Sequence, residues 1–196
     1  MGGDPSGLQR GDFFTRFFNI GNKDFYNIVN KYIKPYIVSK ATVLEIGPGG
    51  GGWTNYLLWA DRLILVDIND EFFSYLSKTF LEHKKKFIFY TTKGYELTGI
   101  ESESVDFVFS FSVFVHIEVK GILQYMHEIA RVLKNNSVAT IQYADKTKLM
   151  GFLNPHFSNM TYKKMEIYIK NLPRLKIVEH NGRLLNHSNI IVLQKI

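Results

Sequence analysis

Cysteine is absent from the 196 residues, so disulfides, thiolate metal sites and cysteine nucleophiles are excluded at the outset. Proline is scarce at five, and no apolar run approaches the roughly 20 residues that a membrane span needs. The N-terminus lacks the basic-then-apolar pattern of a secretory signal. We therefore expect a cytoplasmic protein with no membrane partner. Histidine is sparse as well. His83, His156, His180 and His187 show no ligand spacing and no helical histidine pair supports zinc, so no metal is expected. No internal repeat or low-complexity linker interrupts the chain, which reads as one domain over 1–196.

Charge of one sign is only in modest excess. Against 18 acidic residues stand 24 basic ones, a formal charge of +6 that mildly favours an acidic partner. The basic residues are scattered apart from Lys84-Lys85-Lys86 and Lys163, Lys164, Lys170, Arg174 and Lys176. They read as solvated helix faces rather than a nucleic-acid groove. Aromatic residues, in contrast, reach 15%. Met1-Gly2 with Ser6 formally matches an acylation pattern, but Pro5 within Gly-Asp-Pro-Ser-Gly reads better as a disordered lead over 1–11. Phe13, Phe14, Phe17 and Phe18 then precede a helical repeat of Phe25, Ile28, Val29, Tyr32, Ile33 and Tyr36. Residues 12–40 thus form a helical element that packs on the core or caps a ligand pocket.

Strand and helix alternate from there. Thr42–Ile46, Leu63–Val66, Phe87–Tyr90, Val105–Phe111 and Val138–Ile141 read as buried strands. Helices are expected from Trp53-Thr54 through Leu58, around Phe72 to Phe80 with Asn69 or Asp70 as cap, and from Val119 to Leu133. Such alternation implies a parallel sheet covered on both faces. Near the end, after a helix around Tyr162–Leu172, the runs Leu175–Glu179 and Asn189–Leu193 have no helix between them and should pair antiparallel.

Gly47-Pro48-Gly49-Gly50-Gly51-Gly52 follows the first strand, where backbone must turn sharply and approach a ligand without Cβ interference. The helix beyond it would add unpaired N–H groups and a partial positive charge. Asp67 closes the second strand about twenty residues on, where an acid accepts ribose hydroxyls. The order specifies a nucleoside cofactor at the carboxyl edge of the sheet. On spacing alone a dinucleotide remains open, because Gly47, Gly49 and Gly52 satisfy G-x-G-x-x-G. No Gly-Lys-Ser/Thr follows, which excludes a P-loop.

Val43-Leu44-Glu45-Ile46-Gly47-Pro48-Gly49-Gly50-Gly51 resembles the first motif of class I S-adenosylmethionine (SAM)-dependent methyltransferases. Leu65-Val66-Asp67-Ile68-Asn69, the stretch Ser104 to Ile117, and Glu128-Ile129-Ala130-Arg131-Val132-Leu133-Lys134 resemble the motifs that follow it, in order. The resemblance spans roughly 41–143, the expected cofactor core, and leaves 144–196 as loop, helix and C-terminal hairpin. It implies a Rossmann-like, doubly wound, mostly parallel seven-stranded sheet with an antiparallel C-terminal hairpin. It also implies S-adenosyl-L-methionine as cofactor. By resemblance Gly47, Gly49 and Gly51 would floor the methionine and ribose, Glu45 would sit near the amino group, and Asp67 would accept the ribose hydroxyls. Ile68 would pack on adenine, Gly94 and Tyr95 would border it, and Ser110, Phe111 and His116 would lie beside the methionine and transferred methyl. Two positions depart from the pattern. Lys93 stands where the family often has Asp, leaving backbone or Thr92 for the adenine amino group, and Asn135-Asn136-Ser137 replaces the usual Pro-Gly-Gly turn, whose left-handed geometry Asn tolerates.

Imidazole titrates near neutral pH, which makes His116 the candidate base, with buttressing of the cofactor loop as the alternative. Glu118, His127 and Tyr143 are lesser candidates. The loop after the fifth strand would cover the substrate with Tyr143, Phe152 and His156, or be a plain surface connection. The expected acceptor is an O or N atom of a small molecule or glycan precursor. An RNA or protein methyltransferase, an NAD-dependent oxidoreductase and a catalytically silent SAM-binding protein are the alternatives.

Overall fold

The computed structural model describes residues 21–196. The expected lead over 1–11 and the cluster of Phe13, Phe14, Phe17 and Phe18 lie outside the described residues. In chain order the elements are α1 (Asn22–Tyr32), β1 (Thr42–Ile46), β2 (Arg62–Asp67), α2 (Glu71–Thr79), β3 (Phe87–Thr91) and β4 (Val105–Phe114). There follow α3 (Val119–Val132), β5 (Leu133–Ala144), α4 (Leu149–Leu153), α5 (Tyr162–Lys170), β6 (Leu175–Asn181) and β7 (Ser188–Lys195).

The strands form one seven-stranded sheet in the order β3-β2-β1-β4-β5-β7-β6. β1 to β5 run parallel, while β7 pairs antiparallel with both β5 and β6. The expected antiparallel end is present, because the short helix-free link between β6 and β7 cannot make a parallel crossover. Side chains alternate across the pleat. Val43, Leu63, Leu65, Phe107 and Phe109 pack with α1, Trp53 and Leu76, whereas Leu44, Ile46, Ile64, Val66 and Val108 pack with α3 and α5. Both faces are therefore covered by helices.

The connection after β1 differs from expectation. Instead of an α-helix through Leu58, a single 3-10 turn covers Thr54–Tyr56. Its bonds run three residues back, Leu57 N–H to Thr54 O at 2.9 Å and Ala60 N–H to Leu57 O at 3.0 Å. Thr54, Leu57 and Ala60 are all buried. Positions three apart eclipse on a 3-10 turn, so this spacing buries one narrow ridge where an α-helix would have splayed it. At the N-terminal end, α1 stops at Tyr32 and Tyr36 falls in a 3-10 turn over Lys34–Tyr36. Pro35 has no N–H with which to continue the α pattern.

α1 is anchored at both ends. Phe25 stacks on Trp53 at 5.0 Å, and Trp53 in turn meets Phe111 at 4.6 Å. Tyr32 donates to Glu179 Oε1 at 2.7 Å and accepts from Asn181 Nδ2 at 2.9 Å. Asn135-Asn136-Ser137 lies within β5 where its register with β4 shifts, and Asn136 takes the left-handed region at φ 66°. Among the described residues no helix is long and apolar enough to cross a membrane.

Candidate active site

Gly47, Gly49 and Gly51 all take positive φ, at 74°, 48° and 80°. A Cβ at Gly47 would stand 2.1 Å from Val113 Cγ2, and one at Gly51 would stand 2.6 Å from Leu76 Cδ2. At Gly49 a Cβ would meet nothing within 4 Å, so that part of the loop faces open space. The loop is tied to β2. Gly47 N–H donates to Val66 O at 2.8 Å, and Gly49 N–H donates to Asp67 Oδ2 at 3.2 Å. Asn69 N–H holds the other Asp67 oxygen at 3.1 Å. Each carboxylate oxygen retains acceptor capacity for a hydroxyl. Beside it Ile68 is 76% exposed, an apolar side chain free to pack on a planar ligand.

Glu45 lies behind the loop, buried, with Oε2 accepting from Thr54 Oγ1 at 2.6 Å. Burial pushes its carboxyl up to about 8, against the Thr54 hydrogen bond and with the help of the Asp67 charge. A buried carboxyl in this state favours a cation set against it, which an amino-acid ammonium supplies. Its folded value exceeds the ordinary 4.5, so the folded chain holds a proton that the unfolded chain releases. Stability of the ligand-free protein therefore falls as pH rises from about 4.5 to about 8. Glu45→Gln should remove that component of the slope and be the more stable protein at pH 8. Melting temperatures across the pH series read this directly, and parallel curves for the two proteins would refute it.

The other residues singled out from the sequence are placed differently from one another. Ser110 is fully buried and its hydroxyl donates to Ile46 O at 2.9 Å, so its side chain ties β4 to β1. Phe111 packs with Trp53 on the α1 face. Gly94 and Tyr95 sit in the loop after β3. Tyr95 turns onto α3, where a Cβ on Gly121 would come within 2.5 Å of its ring. Thr92 bonds within that loop, donating to Glu96 O at 3.0 Å and accepting from Gly94 N–H at 3.3 Å. Its hydroxyl is thereby committed to the turn, and Lys93 is exposed.

His116 lines a cavity of about 630 Å³ beyond the end of β4, with Ser112, Val115, Leu153, Phe157 and His187 in its wall. Ser112 takes φ 63°, and the register between β4 and β5 shifts here. Its N–H donates to Gln142 Oε1 at 2.7 Å, which turns the amide nitrogen of Gln142 toward Ser188 Oγ at 2.7 Å and His187 Nε2 at 3.4 Å. His187 Nδ1 lies 3.1 Å from Asn186 Oδ1, so both of its ring nitrogens are engaged. Burial, with the charges of Lys148 and His116 adding to it, holds His187 below the usual imidazole range. Phe157 packs near both imidazoles, 5.4 Å from His116 and 5.3 Å from His187. His116 Nδ1 approaches His156 O at 3.4 Å. A carbonyl only accepts, so a hydrogen bond at this contact requires the Nδ1–H tautomer of the neutral ring, with the lone pair on Nε2.

The expected cavity wall is corrected at three positions. Tyr143 is buried and engaged with Asn189, Phe152 points outward, and His156 contributes its carbonyl. Met150 and Leu153, three apart on α4, line the cavity instead. Gln142, a polar residue within an apolar strand, was a readable signal of a buried role. His187 and Phe157 carried none, since their positions depend on how two separate loops meet.

The glycine loop and the cavity meet neighbouring residues of β4. Val113, against which Gly47 is packed, lies next to Ser112 of the cavity. The open cradle at Gly49, the raised carboxyl of Glu45 and the exposed Ile68 fit an adenosyl amino acid. A pyrophosphate would be served by a helix N-terminus, and the loop leads instead into one 3-10 turn.

Residues 43–136 match the family model of a methyltransferase domain. A SAM-dependent methyltransferase from Clostridium acetobutylicum superposes with a TM-score of 0.75 at 11% identity, over 96% of this chain and 98% of that one. Another from Aquifex aeolicus gives 0.68 at 16% identity, over 98% and 94%. One from Archaeoglobus fulgidus gives 0.68 at 17% identity, over 98% and 100%. No curated protein matches the chain. The sheet order and the C-terminal hairpin define the class I methyltransferase fold. Residues 43–136 are thus similar to a methyltransferase domain, and the fold is that of SAM-dependent methyltransferases, for which SAM is the expected cofactor.

Proposed function

We propose that the protein transfers a methyl group to an oxygen or nitrogen of a small molecule or glycan precursor, with His116 as the base. The observation that carries this reading is a cavity with His116 in its wall, lined also by Ser112, the chain neighbour of the Val113 that packs against Gly47. Among the described residues none of its lining side chains is Asp, Glu, Lys or Arg. A macromolecular acceptor was suggested only by the net charge of +6, and that charge is absent from the cavity wall.

Gly47, Gly49, Gly51, Asp67 and Ile68 would hold the nucleoside, and Glu45 would face the amino group. The bound cofactor supplies a methyl on a sulfonium, an electrophile that an acceptor lone pair attacks directly. The chain's share is then to orient the acceptor and remove its proton. In-line positioning supplies up to about 7–11 kcal/mol. Proton removal falls to His116 Nε2, since a hydrogen bond to the His156 carbonyl requires hydrogen on Nδ1 of the neutral ring.

Calorimetric titration with SAM, its demethylated product and NAD tests the cofactor half. The first two should bind and NAD should not. A screen of acceptors with methyl-labelled SAM tests the rest. Label in small neutral acceptors supports the reading, and label confined to RNA or protein overturns it.

A further inference from the structure

Helix α4 is short and almost wholly apolar, Leu149-Met150-Gly151-Phe152-Leu153, yet four of these side chains are turned to solvent. Leu149 is 70% exposed, Met150 48%, Phe152 69% and Leu153 61%. Isolated exposed apolar residues are ordinary, but a contiguous patch marks a surface that contacts something. The helix is seated firmly. A Cβ at Gly151 would lie 2.2 Å from Asp145 O and 2.8 Å from His187 O, so the backbone of α4 is pressed onto the ends of the neighbouring segments. Close approach on that side leaves the four large side chains facing outward.

Two of the four, Met150 and Leu153, also line the His116 cavity. Met150 and Leu153 therefore belong both to the cavity wall and to the exposed apolar face of α4. The lysines nearby are occupied. Lys146 Nζ donates to Asn154 O at 2.7 Å, and Lys148 Nζ donates to Leu185 O at 2.6 Å and to Ser188 O. Both ammonium groups brace the loops that frame the cavity. The polar lining consists of Ser112, Asn154, Asn186, His187 and His116, of which His187 is held by Gln142 and Asn186 while His116 is placed to meet a hydroxyl through a neutral hydrogen bond.

We propose that the methyl acceptor is an uncharged amphiphile, its hydroxyl head at His116 between the amide side chains and its apolar tail along Met150 and Leu153 of α4. This rests on the methyl-transfer reading above and adds the chemistry of the substrate. The tail binds through area removed from water, and a carboxylate or phosphate beside the head would lose hydration without meeting a free cation.

The test is calorimetry on protein loaded with the demethylated cofactor product, using two neutral head groups, 4-alkylphenols and n-alkyl glucosides, each from methyl to hexyl. The 3-carboxylated 4-alkylphenols and the 6-phosphorylated glucosides serve as charged controls. Affinity should rise about two- to fourfold per added methylene in at least one series, and the charged counterparts should bind more weakly. The series that shows the slope identifies the head as aromatic or sugar. Leu153→Lys should flatten the slope while cofactor-product binding, the control for folding, stays unchanged. A flat response in both series, tighter binding of the charged counterparts, or a slope that survives Leu153→Lys together with Met150→Lys would overturn the proposal. Because the readout is binding, it stands apart from turnover. Methyl transfer to the same ligands tests the underlying reading separately.

Discussion

Replacing His116 with Ala is expected to lower turnover by about 10²–10⁴-fold while the dissociation constant for SAM stays within about twofold. The split follows from where the ring is. Its contacts are with the His156 carbonyl and the Phe157 ring, on the cavity side of β4. The glycine loop is instead braced by Val66, Asp67, Val113 and Leu76. A base removed from the acceptor side leaves those braces in place. If the ring acted only as a buttress for the loop, the variant would lose cofactor affinity along with turnover. Calorimetry with SAM and a single-turnover assay on one preparation separate the two outcomes.

Gly47→Ala is expected to cost about 2–4 kcal/mol of stability and to weaken SAM binding by more than about tenfold. Two effects combine at this position. The backbone sits at φ 74°, where an L side chain is strained, and the new Cβ would lie 2.1 Å from Val113 Cγ2. Val113 cannot retreat freely, because the adjoining Ser112 is held at φ 63° by its bond to Gln142. Relief must come from the loop itself, which would disturb the Gly47–Val66 and Gly49–Asp67 bonds that shape the proposed cofactor site. Gly49→Ala provides the contrast. Its Cβ would meet nothing within 4 Å, so its effect should fall more on SAM affinity than on stability. Urea melts and calorimetry on the two variants check this ordering, and equal stability losses would contradict it.

Much of the fold was legible in local pattern. Each β-strand core announced itself as an apolar, β-branched or aromatic run, and the helix-free link before Ser188 dictated the antiparallel hairpin. The turn after β1 was misread because a 3-10 ridge at Thr54, Leu57 and Ala60 and the first turn of an α-helix look alike over so few residues. The cavity wall was misread for a related reason. Phe152 was the more conspicuous aromatic, but which side of α4 faces inward depends on Gly151 pressing against Asp145 and His187. Ser110 was in the expected strand, yet the direction of its hydroxyl depends on the neighbouring strand whose carbonyl it meets.

By itself the amino-acid sequence determined the succession of the seven strands, the glycine loop with Asp67 closing the next strand, and the resemblance to a methyltransferase. These depend on residues near one another in the chain, where steric and hydrogen-bonding rules act directly. Only the tertiary structure decided that Glu45 is buried with a raised pKa, that Phe157 packs near both His116 and His187, and that α4 presents an apolar surface beside the cavity. Each of those features arises where segments distant in sequence are packed together. Burial, desolvation and orientation are properties of that packing, and no local pattern encodes them.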